Sequence, residues 1–260
     1  MNEPAQGSAT VSQAFTYQLH DAYAAYARLG LVVLQVDETI EHEFARLLPP
    51  SVASLNVTRV PSAPDVTPET LAQMAAQLPA AAALLPNSFR HDAVAYACTS
   101  GTTVIGAARV AELVHSGCDT AAVTNPLTAL IAACAHLGVK RLALLSPYVE
   151  SVSERLRQRL SEAGIDTPHF GSFNESAEAK VARIDGESVL QAATALGQHA
   201  DCDAVFLSCT NLRSLDVIDA IERAVNKPVL SSNQVLAWHL AQLAGLTLEH
   251  TGGGRLWRQA

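Results

Sequence analysis

The sequence predicts an α/β fold with two pseudo-symmetric βα-repeat halves, each a four-stranded parallel sheet flanked by helices. Three observations predict it. Short apolar, β-branched runs alternate with Ala/Leu-rich stretches from residue 31 to about residue 245, which is typical of repeated βα units. Of the 260 residues, 49% are hydrophobic and only 5% aromatic, which suits a well-buried α/β core. The third observation is an internal repeat.

The repeat relates two strand ends that lie 111 residues apart. Asp92-Ala-Val-Ala-Tyr-Ala-Cys98-Thr-Ser matches Asp203-Ala-Val-Phe-Leu-Ser-Cys209-Thr-Asn at five of nine positions, and 209 − 98 = 111. The same offset pairs a strand beginning at residue 31 with one beginning at residue 142, and it sets Asp37 against Tyr148. Self-similarity at a fixed offset indicates a duplicated architecture.

Each half is predicted to contain four strands, with helices in the intervals. The strands are expected near 31–36, 53–60, 93–98, 120–124, 141–146, 167–173, 203–208 and 228–231. The predicted organisation is a flexible N-terminal segment (1–24), a first half (25–138), a second half (139–245) and a C-terminal tail (246–260). Ala and Leu ridges in the helices near 71–84 and 127–137 exceed what a monomer needs to bury, which predicts a homodimer or homotetramer.

Charge and hydropathy exclude several classes of protein. The net charge of -8 is spread along the chain without a basic block, so nucleic acid is not an expected partner. The sequence contains no apolar run of the roughly 18 to 20 residues that a membrane span needs. Its first twenty residues also lack the pattern of a signal peptide, so a cytoplasmic protein is expected.

Cofactor and metal motifs are absent from the sequence. Gly101-Thr-Thr-Val-Ile-Gly106 has the spacing of a phosphate loop, but Ala107-Ala108 follows where Lys-Ser/Thr is required. No G-x-G-x-x-G follows a predicted strand, and the nine histidines show no H-E-x-x-H spacing. Five cysteines without a C-x-x-C pair are expected to be free thiols. The sequence therefore predicts an enzyme that uses no cofactor and no metal.

Cys98 and Cys209 are the candidate catalytic residues. Each closes an apolar strand, and small polar residues that are expected to lead into a helix follow it: Thr99, Ser100, Thr102, Thr210 and Asn211. The N–H groups of a helix N-terminus lower a thiol pKa from about 8.5 toward neutrality and also bind a substrate carboxylate. Ligands in open α/β sheets bind beyond the carboxyl ends of strands, so both thiols are expected in one cleft.

The alternative interpretation is that these thiols are buried core residues, because cysteine is among the most buried residue types. We apply that interpretation to Cys118, Cys134 and Cys202, which lie on or beside predicted helices without such a flank. The matched context of Cys98 and Cys209 favours a catalytic function instead.

Four strand-end segments resemble the aspartate/glutamate racemase superfamily, and within it the branch of maleate cis-trans isomerase and arylmalonate decarboxylase. They are 35–44 (QVDETIEHEF), 97–102 (ACTSGT), 146–148 (SPY) and 208–213 (SCTNLR), and the likeness runs over most of 30–245. The resemblance implies a cofactor-independent isomerase that acts on a small carboxylate. It makes Cys98 the thiolate nucleophile or base, Cys209 the opposing proton donor, and Tyr148 a hydroxyl that hydrogen-bonds the substrate carboxylate.

Asp37 departs from the isomerase pattern, which has Asn at this position. An ionised Asp repels a substrate carboxylate by roughly 4 kcal/mol at about 4 Å and an effective dielectric constant of about 20. Asp37 could instead receive a substrate ammonium or hydroxyl group, or be held protonated. It could also be a turn or N-cap residue before a helix starting at Glu38.

Other activities in the same superfamily therefore stay open. One is an amino-acid or hydroxy-acid racemase, and others are an arylmalonate decarboxylase-like enzyme and the accessory role of the ectoine-utilisation member. By the resemblance, decarboxylases of this branch use one cysteine. The presence of two therefore favours proton transfer on both faces of a carbon.

Overall fold

The computed structural model of the chain describes residues 12–20, 26–248 and 253–258. Its strands are β1 (Ala27–Leu34), β2 (Ala53–Val60), β3 (Ala93–Ala97), β4 (Val123–Thr124), β5 (Arg141–Tyr148), β6 (Asp166–Glu175), β7 (Ala204–Leu207) and β8 (Val229–Ser231). Its helices are α1 (Ile40–Leu47), α2 (Pro68–Ala82), α3 (Thr99–Ile105), α4 (Ala107–Gly117), α5 (Pro126–Leu137), α6 (Glu150–Glu162), α7 (Glu178–Val181), α8 (Gly186–Gly197), α9 (Ile218–Val225), α10 (Ser232–Leu243) and α11 (Gly254–Arg258).

The strands form two parallel sheets of the same topology. The first has the order β2-β1-β3-β4 and the second the order β6-β5-β7-β8. β3 and β7 are buried along their whole length because helices cover both faces of each sheet, which explains their continuous apolar sequences. The predicted fold class and the duplication of a four-strand unit are confirmed.

The predicted register of the repeat is wrong by two residues at the first strand of each half. In the first sheet Leu31 lies beside Ala95, 64 residues later, whereas in the second Leu145 lies beside Leu207, 62 residues later. An offset of 111 therefore holds for the two cysteines but not for β1 and β5. Asp37 and Tyr148 are consequently not equivalent in the fold.

Several strand boundaries also differ from the predicted ones. β1 ends at Leu34 and not at residue 36, because a turn closes there with the N–H of Asp37 donating to the carbonyl oxygen of Leu34 at 3.1 Å. β4 has two residues and not five, and β5 continues two residues beyond 146 to Tyr148. The extension of β5 places Tyr148 at the same sheet edge as the end of β7.

Helices of one half also pack on the other half. α10 follows the last strand of the second sheet, yet it packs against α5, α1 and β3 of the first half, and α3 packs against α6. The contact is apolar along most of α10, where Val235, Leu236 and Leu240 are fully buried. The cleft between the sheets is therefore closed by elements from both halves.

The two chain ends are described only in part. Residues 12–20 are without regular secondary structure and exposed, while residues 1–11 and 21–24 of the predicted N-terminal segment lie outside the described residues. The described part of the predicted tail contains α11, where Leu256 and Trp257 are buried and Glu222 Oε1 accepts the N–H of Arg255 at 2.9 Å. In the part of the chain that the structure describes, no helix has the length and hydropathy needed to cross a membrane.

Candidate active site

Cys98 stands at the junction of β3 and α3, where it is the N-cap residue of the helix. Its Sγ accepts the N–H of Gly101 at 3.1 Å, and its backbone is extended, with φ −151°. A Cβ at position 101 would lie 2.9 Å from Cys98 Sγ and 2.6 Å from the hydroxyl of Tyr96, so only glycine admits the thiol here. The first predicted cysteine loop thus has the expected strand-to-helix geometry.

Cys209 follows β7, but the helix that the sequence predicts after it is absent. Residues 210–217 form bends and turns, and α9 begins only at Ile218. Cys209 itself has φ 100°, which is rare for a residue with a Cβ. Its N–H donates to Ser232 Oγ at 3.0 Å, and its Sγ accepts the N–H of Asn211 at 3.3 Å. This thiol is therefore positioned by loop contacts, and no helix N-terminus lies behind it.

Both thiols line one small cavity at the carboxyl ends of β1, β3, β5 and β7. The cavity has about 300 Å³ of space between atoms, part of it open to solvent, and is lined by Leu34, Val36, Asp37, Val66, Leu71, Cys98, Thr99, Ser100, Tyr148, Glu178, Cys209, Thr210 and Asn211. All predicted site residues except Thr102 are in this set. Thr102 Oγ1 donates to the carbonyl oxygen of Cys98 at 2.7 Å inside α3, so that hydroxyl stabilises the helix and does not reach the cavity.

Five lining residues were not among the predicted site residues: Leu34, Val36, Val66, Leu71 and Glu178. Val66 and Leu71 come from the connection after β2 and the start of α2 and give the cavity an apolar wall. Glu178 begins the four-residue helix α7 and is only 4% exposed. No motif surrounds it, and its place in the site depends on the path of the chain after β6.

Glu178, Tyr148 and Cys209 form a chain of hydrogen bonds. The Tyr148 hydroxyl donates to Glu178 Oε1 at 2.7 Å and lies 2.8 Å from Cys209 Sγ. In the contact between Tyr148 and Cys209 either group can be the donor. Asn211 Nδ2 donates to the other carboxyl oxygen, Glu178 Oε2, at 2.8 Å. Burial raises the pKa of Glu178, although the hydrogen bonds from Asn211 and Tyr148 oppose the shift.

Asp37 has one oxygen in a turn and one without a partner. Its Oδ1 accepts the N–H groups of Thr39 and Ile40 at 2.8 and 2.9 Å, so the carboxyl caps the first turn of α1. The helix begins at Ile40 and not at Glu38. Asp37 Oδ2 is buried and has no partner at hydrogen-bond geometry, although the Thr210 hydroxyl lies near enough to lower the pKa of the carboxyl. Burial raises the pKa of this carboxyl, although the turn hydrogen bonds oppose the shift.

The predicted lowering of the thiol pKa values is wrong. Burial raises the pKa of Cys98 to about 12, and the N–H of Gly101 offsets only part of that shift. Burial also raises the pKa of Cys209 well above its usual range, and the nearby Glu178 carboxylate adds to the effect. Desolvation disfavours a thiolate more than the local dipoles favour it. The raised pKa values favour the protonated form of both thiols at neutral pH.

Among the residues that the structure describes, those that line the cavity include no lysine, arginine or histidine. Arg59 lowers the pKa of Asp37 through its charge, but its guanidinium binds the carbonyl oxygens of Leu34 and Asp37 and pairs with Glu41. In the described part of the chain, no group of three or more possible metal ligands converges in the cavity. One surface group, His169, His199 and Asp201, holds its ligand atoms within 4.8 Å of one another. Its two imidazole rings stack at 3.6 Å and 4°, so their in-plane lone pairs do not converge on one ion.

Comparison with known proteins agrees with this geometry. The family model described as arylmalonate decarboxylase matches residues 63–257. The chain belongs to the arylmalonate decarboxylase family. Within that family it is 30% identical over 243 residues to the maleate isomerase of Nocardia farcinica, which covers 89% of this chain and 96% of that protein. It is also 32% identical over 123 residues to the arylmalonate decarboxylase of Bordetella bronchiseptica, over 47% of this chain and 51% of that protein.

Solved structures of family members have the same fold. One is a Nocardia farcinica maleate cis-trans isomerase mutant, in which a cysteine is replaced by serine and a succinylcysteine intermediate is covalently bound. It matches this chain with a TM-score of 0.83 and 28% identity, covering 90% of this chain and 99% of that one. The predicted membership of the maleate isomerase and arylmalonate decarboxylase branch is therefore confirmed.

Proposed function

We propose that this protein is a cofactor-independent cis-trans isomerase that acts on a small unsaturated carboxylate through its two cysteines. The observation that supports it best is that Cys98 and Cys209 line one cavity at the ends of equivalent strands. The covalent succinylcysteine of the Nocardia relative supports the same type of chemistry.

The proposed reaction begins with addition of the Cys98 sulfur to the alkene. As the substrate binds, its carboxylate takes the proton of the Cys98 thiol. The resulting thiolate forms a C–S bond to one alkene carbon, and the Cys209 thiol gives its proton to the neighbouring carbon. The former double bond is now single and rotates. Cys209 then takes the proton back, the C–S bond breaks, and the trans alkene leaves as Cys98 recovers its own proton from the carboxylate.

The environments of the two thiols support this assignment. Burial and the nearby Glu178 carboxyl raise the pKa of Cys209, which favours a protonated thiol and suits it to give a proton. Both sulfurs accept a backbone N–H, Cys98 from Gly101 at 3.1 Å and Cys209 from Asn211 at 3.3 Å. Only the N–H at Cys98 belongs to the first turn of a helix, where the helix dipole also favours a thiolate. The hydroxyls of Thr99 and Ser100 lie beside Cys98 in the cavity wall and are suited to a substrate carboxylate.

A racemase is the second candidate. Two thiols in one cavity also suit a two-base reaction. One thiol first loses its proton to the substrate carboxylate and, as a thiolate, removes a proton from a carbon, while the other thiol gives its proton to the opposite face. In that case no carbon–sulfur bond would form.

Incubation in deuterated water separates these functions. The isomerase should convert a cis-butenedioic substrate, maleate or its monoamide, to the trans product and form a transient thioether that intact mass spectrometry detects. A racemase should instead exchange the Cα hydrogen of L-aspartate or L-glutamate. Exchange without alkene isomerisation would refute the proposed function, as would release of carbon dioxide from an arylmalonate in place of both reactions.

We also propose a cytoplasmic location and a symmetric homodimer or homotetramer. The support for assembly is the Ala/Leu content of the helices near 71–84 and 127–137, together with Leu84, which is 76% exposed at the end of the first of them. A monomeric mass by light scattering at micromolar concentration would contradict the proposed assembly.

A further inference from the structure

A carboxylate of the protein already occupies the hydrogen-bond donors of the second half of the cavity. Glu178 Oε1 accepts the Tyr148 hydroxyl, and Glu178 Oε2 accepts Asn211 Nδ2. Asn211 Nδ2 also lies 3.3 Å from the carbonyl oxygen of Glu178, while its Oδ1 accepts the N–H of Glu38. A second carboxylate of a substrate would therefore find these donors taken.

Asp37 presents the opposite situation, an acceptor without a donor. Its Oδ2 is buried and unpaired at the wall of the cavity, and the side chain is 5% exposed. A buried carboxyl oxygen without a partner is destabilising, so a ligand that supplies an N–H or O–H group at this point is favoured.

The charges of the cavity agree with both observations. Two carboxyl groups and two thiols line it, without a cationic side chain among the lining residues. The nearby guanidiniums are engaged elsewhere, Arg59 with Glu41 and Arg183 with Glu38. A dianion would enter without any cation to neutralise it, whereas an N–H donor would meet two acceptors.

We propose that the substrate carries a single carboxylate, and that its second arm is an N–H donor received by Asp37 and Glu178. This inference rests on the proposed function. A carboxamide is the form of that arm that fits the reaction, because it keeps the alkene electron-poor for addition of the Cys98 sulfur. The substrate class is then the monoamide of a cis-butenedioic acid, and not the diacid.

Binding of saturated analogues tests the inference without relying on turnover. Titration calorimetry at pH 7.5 would compare succinate, succinamate and 4-aminobutanoate, which carry a second carboxylate, a carboxamide and an ammonium group. Succinamate should bind the wild-type protein about tenfold more tightly than succinate, or better. Glu178→Gln should narrow or reverse that preference, because an amide can donate to a carboxylate. Glu162→Gln, an exposed change on α6, is the control and should leave the preference unchanged.

The results distinguish this inference from the proposed function. Equal or tighter binding of succinate to the wild-type protein would overturn the inference, as would the absence of saturable binding by succinamate. Tighter binding of 4-aminobutanoate than of succinamate would overturn the carboxamide and show that the N–H donor is an ammonium group. Turnover of maleate with a kcat/KM above that of its monoamide would refute the inference and leave the isomerase standing. A binding preference for succinamate without any isomerisation would support the inference about the substrate and refute the proposed isomerase.

Discussion

The two cysteine loops carry the same Cys-Thr pair after equivalent strands, yet they are held in different ways. In the first loop the bonds of Cys98 itself are local: its Sγ accepts the N–H of Gly101, and Thr102 Oγ1 donates to its carbonyl oxygen. In the second loop the bonds come from distant parts of the chain. Ser232 accepts the N–H of Cys209, and Glu43 Oε1 accepts that of Ser214 at 2.8 Å. One loop is specified by a helix and the other by tertiary contacts.

This difference gives identical side chains unequal chemistry. Cys98 has an ordinary extended backbone, whereas Cys209 has a left-handed one that costs about 1–3 kcal/mol in a residue with a side chain. The Cys209 sulfur lies 2.8 Å from the Tyr148 hydroxyl and accepts an N–H from the loop residue Asn211, whereas Cys98 accepts its N–H from Gly101 in the first turn of α3. The pseudo-symmetry of the two halves therefore brings two thiols together. The local differences between their loops give the thiols different environments and different roles.

The largest expected effect comes from exchanging each thiol for a hydroxyl. Cys98→Ser and Cys209→Ser should each lower kcat/KM by about 10³-fold or more, because a hydroxyl is a poor nucleophile and a poor acid at neutral pH. Only Cys209→Ser should accumulate a thioether, found by peptide mass mapping on the peptide that contains Cys98. An adduct on Cys209, or wild-type turnover by either variant, would contradict the unequal roles.

A second expectation concerns alkylation as a function of pH. The thiolate is the reactive form, and a raised pKa moves its formation to higher pH. The rate of iodoacetamide labelling at Cys98 should therefore rise about tenfold for each pH unit between roughly pH 7 and pH 10. Cys209 should react more slowly throughout, because Glu178 further disfavours its thiolate. Labelling of Cys98 that levels off below pH 8 would show that the pKa is not raised.

The third prediction tests the tertiary contacts of the second loop. Glu43 is 4% exposed, and its Oε1 accepts the N–H groups of Ser214 and Leu215 at 2.8 and 2.9 Å. Glu43→Gln should lower the free energy of unfolding by about 1–3 kcal/mol, because an amide can leave a buried N–H group unpaired. Hydrogen exchange should increase over 210–215 and not over 99–105.

Glu41→Gln is the matched control on the same helix. Glu41 is 45% exposed and pairs with Arg59, so its replacement should change stability by less than about 1 kcal/mol. Equal destabilisation by the two variants would mean that the buried carboxylate of Glu43 does not hold the loop.

The smallest expected effect concerns the backbone of Cys209. Glycine adopts a positive φ without strain, so Cys209→Gly should be about 1 kcal/mol more stable than Cys209→Ala. At Cys98, where φ is −151°, no such advantage is expected. Thermal unfolding of the four variants measures both differences, and a more stable Cys209→Ala would indicate that the loop relaxes away from the left-handed conformation.

The sequence predicts the parts of this molecule that depend on local pattern. Buried strands are continuous apolar runs, and a Cys-Thr pair at the end of two of them marks the cavity. The offset between β1 and β5 could not be predicted from the repeat of the cysteine loops, because the connections within the two halves differ in length by two residues. The missing helix after Cys209 is a tertiary effect, since the loop uses Glu43 and Ser232 in place of helical hydrogen bonds.

The residues and properties that sequence analysis missed depend on burial. Glu178 looks like any glutamate at the start of a short helix, and only the path of the chain after β6 places it against Tyr148. The direction of the Cys98 pKa shift was wrong for the same reason. A motif shows that an N–H group faces the sulfur but does not show how completely water is excluded.

The packing of α10 across the cleft bears on how such a duplicated chain can diverge. Ser232 at its start hydrogen-bonds the hydroxyl of Thr99 at 2.8 Å and also accepts the N–H of Cys209, so one side chain connects the two loops. A polypeptide of half this length would need a second copy of itself to make these contacts, and its two loops would then be obliged to share one sequence. Covalent fusion of the halves removes that obligation. Each loop can then accumulate its own substitutions. A duplicated fold can in this way evolve a site in which two equivalent cysteines have different roles.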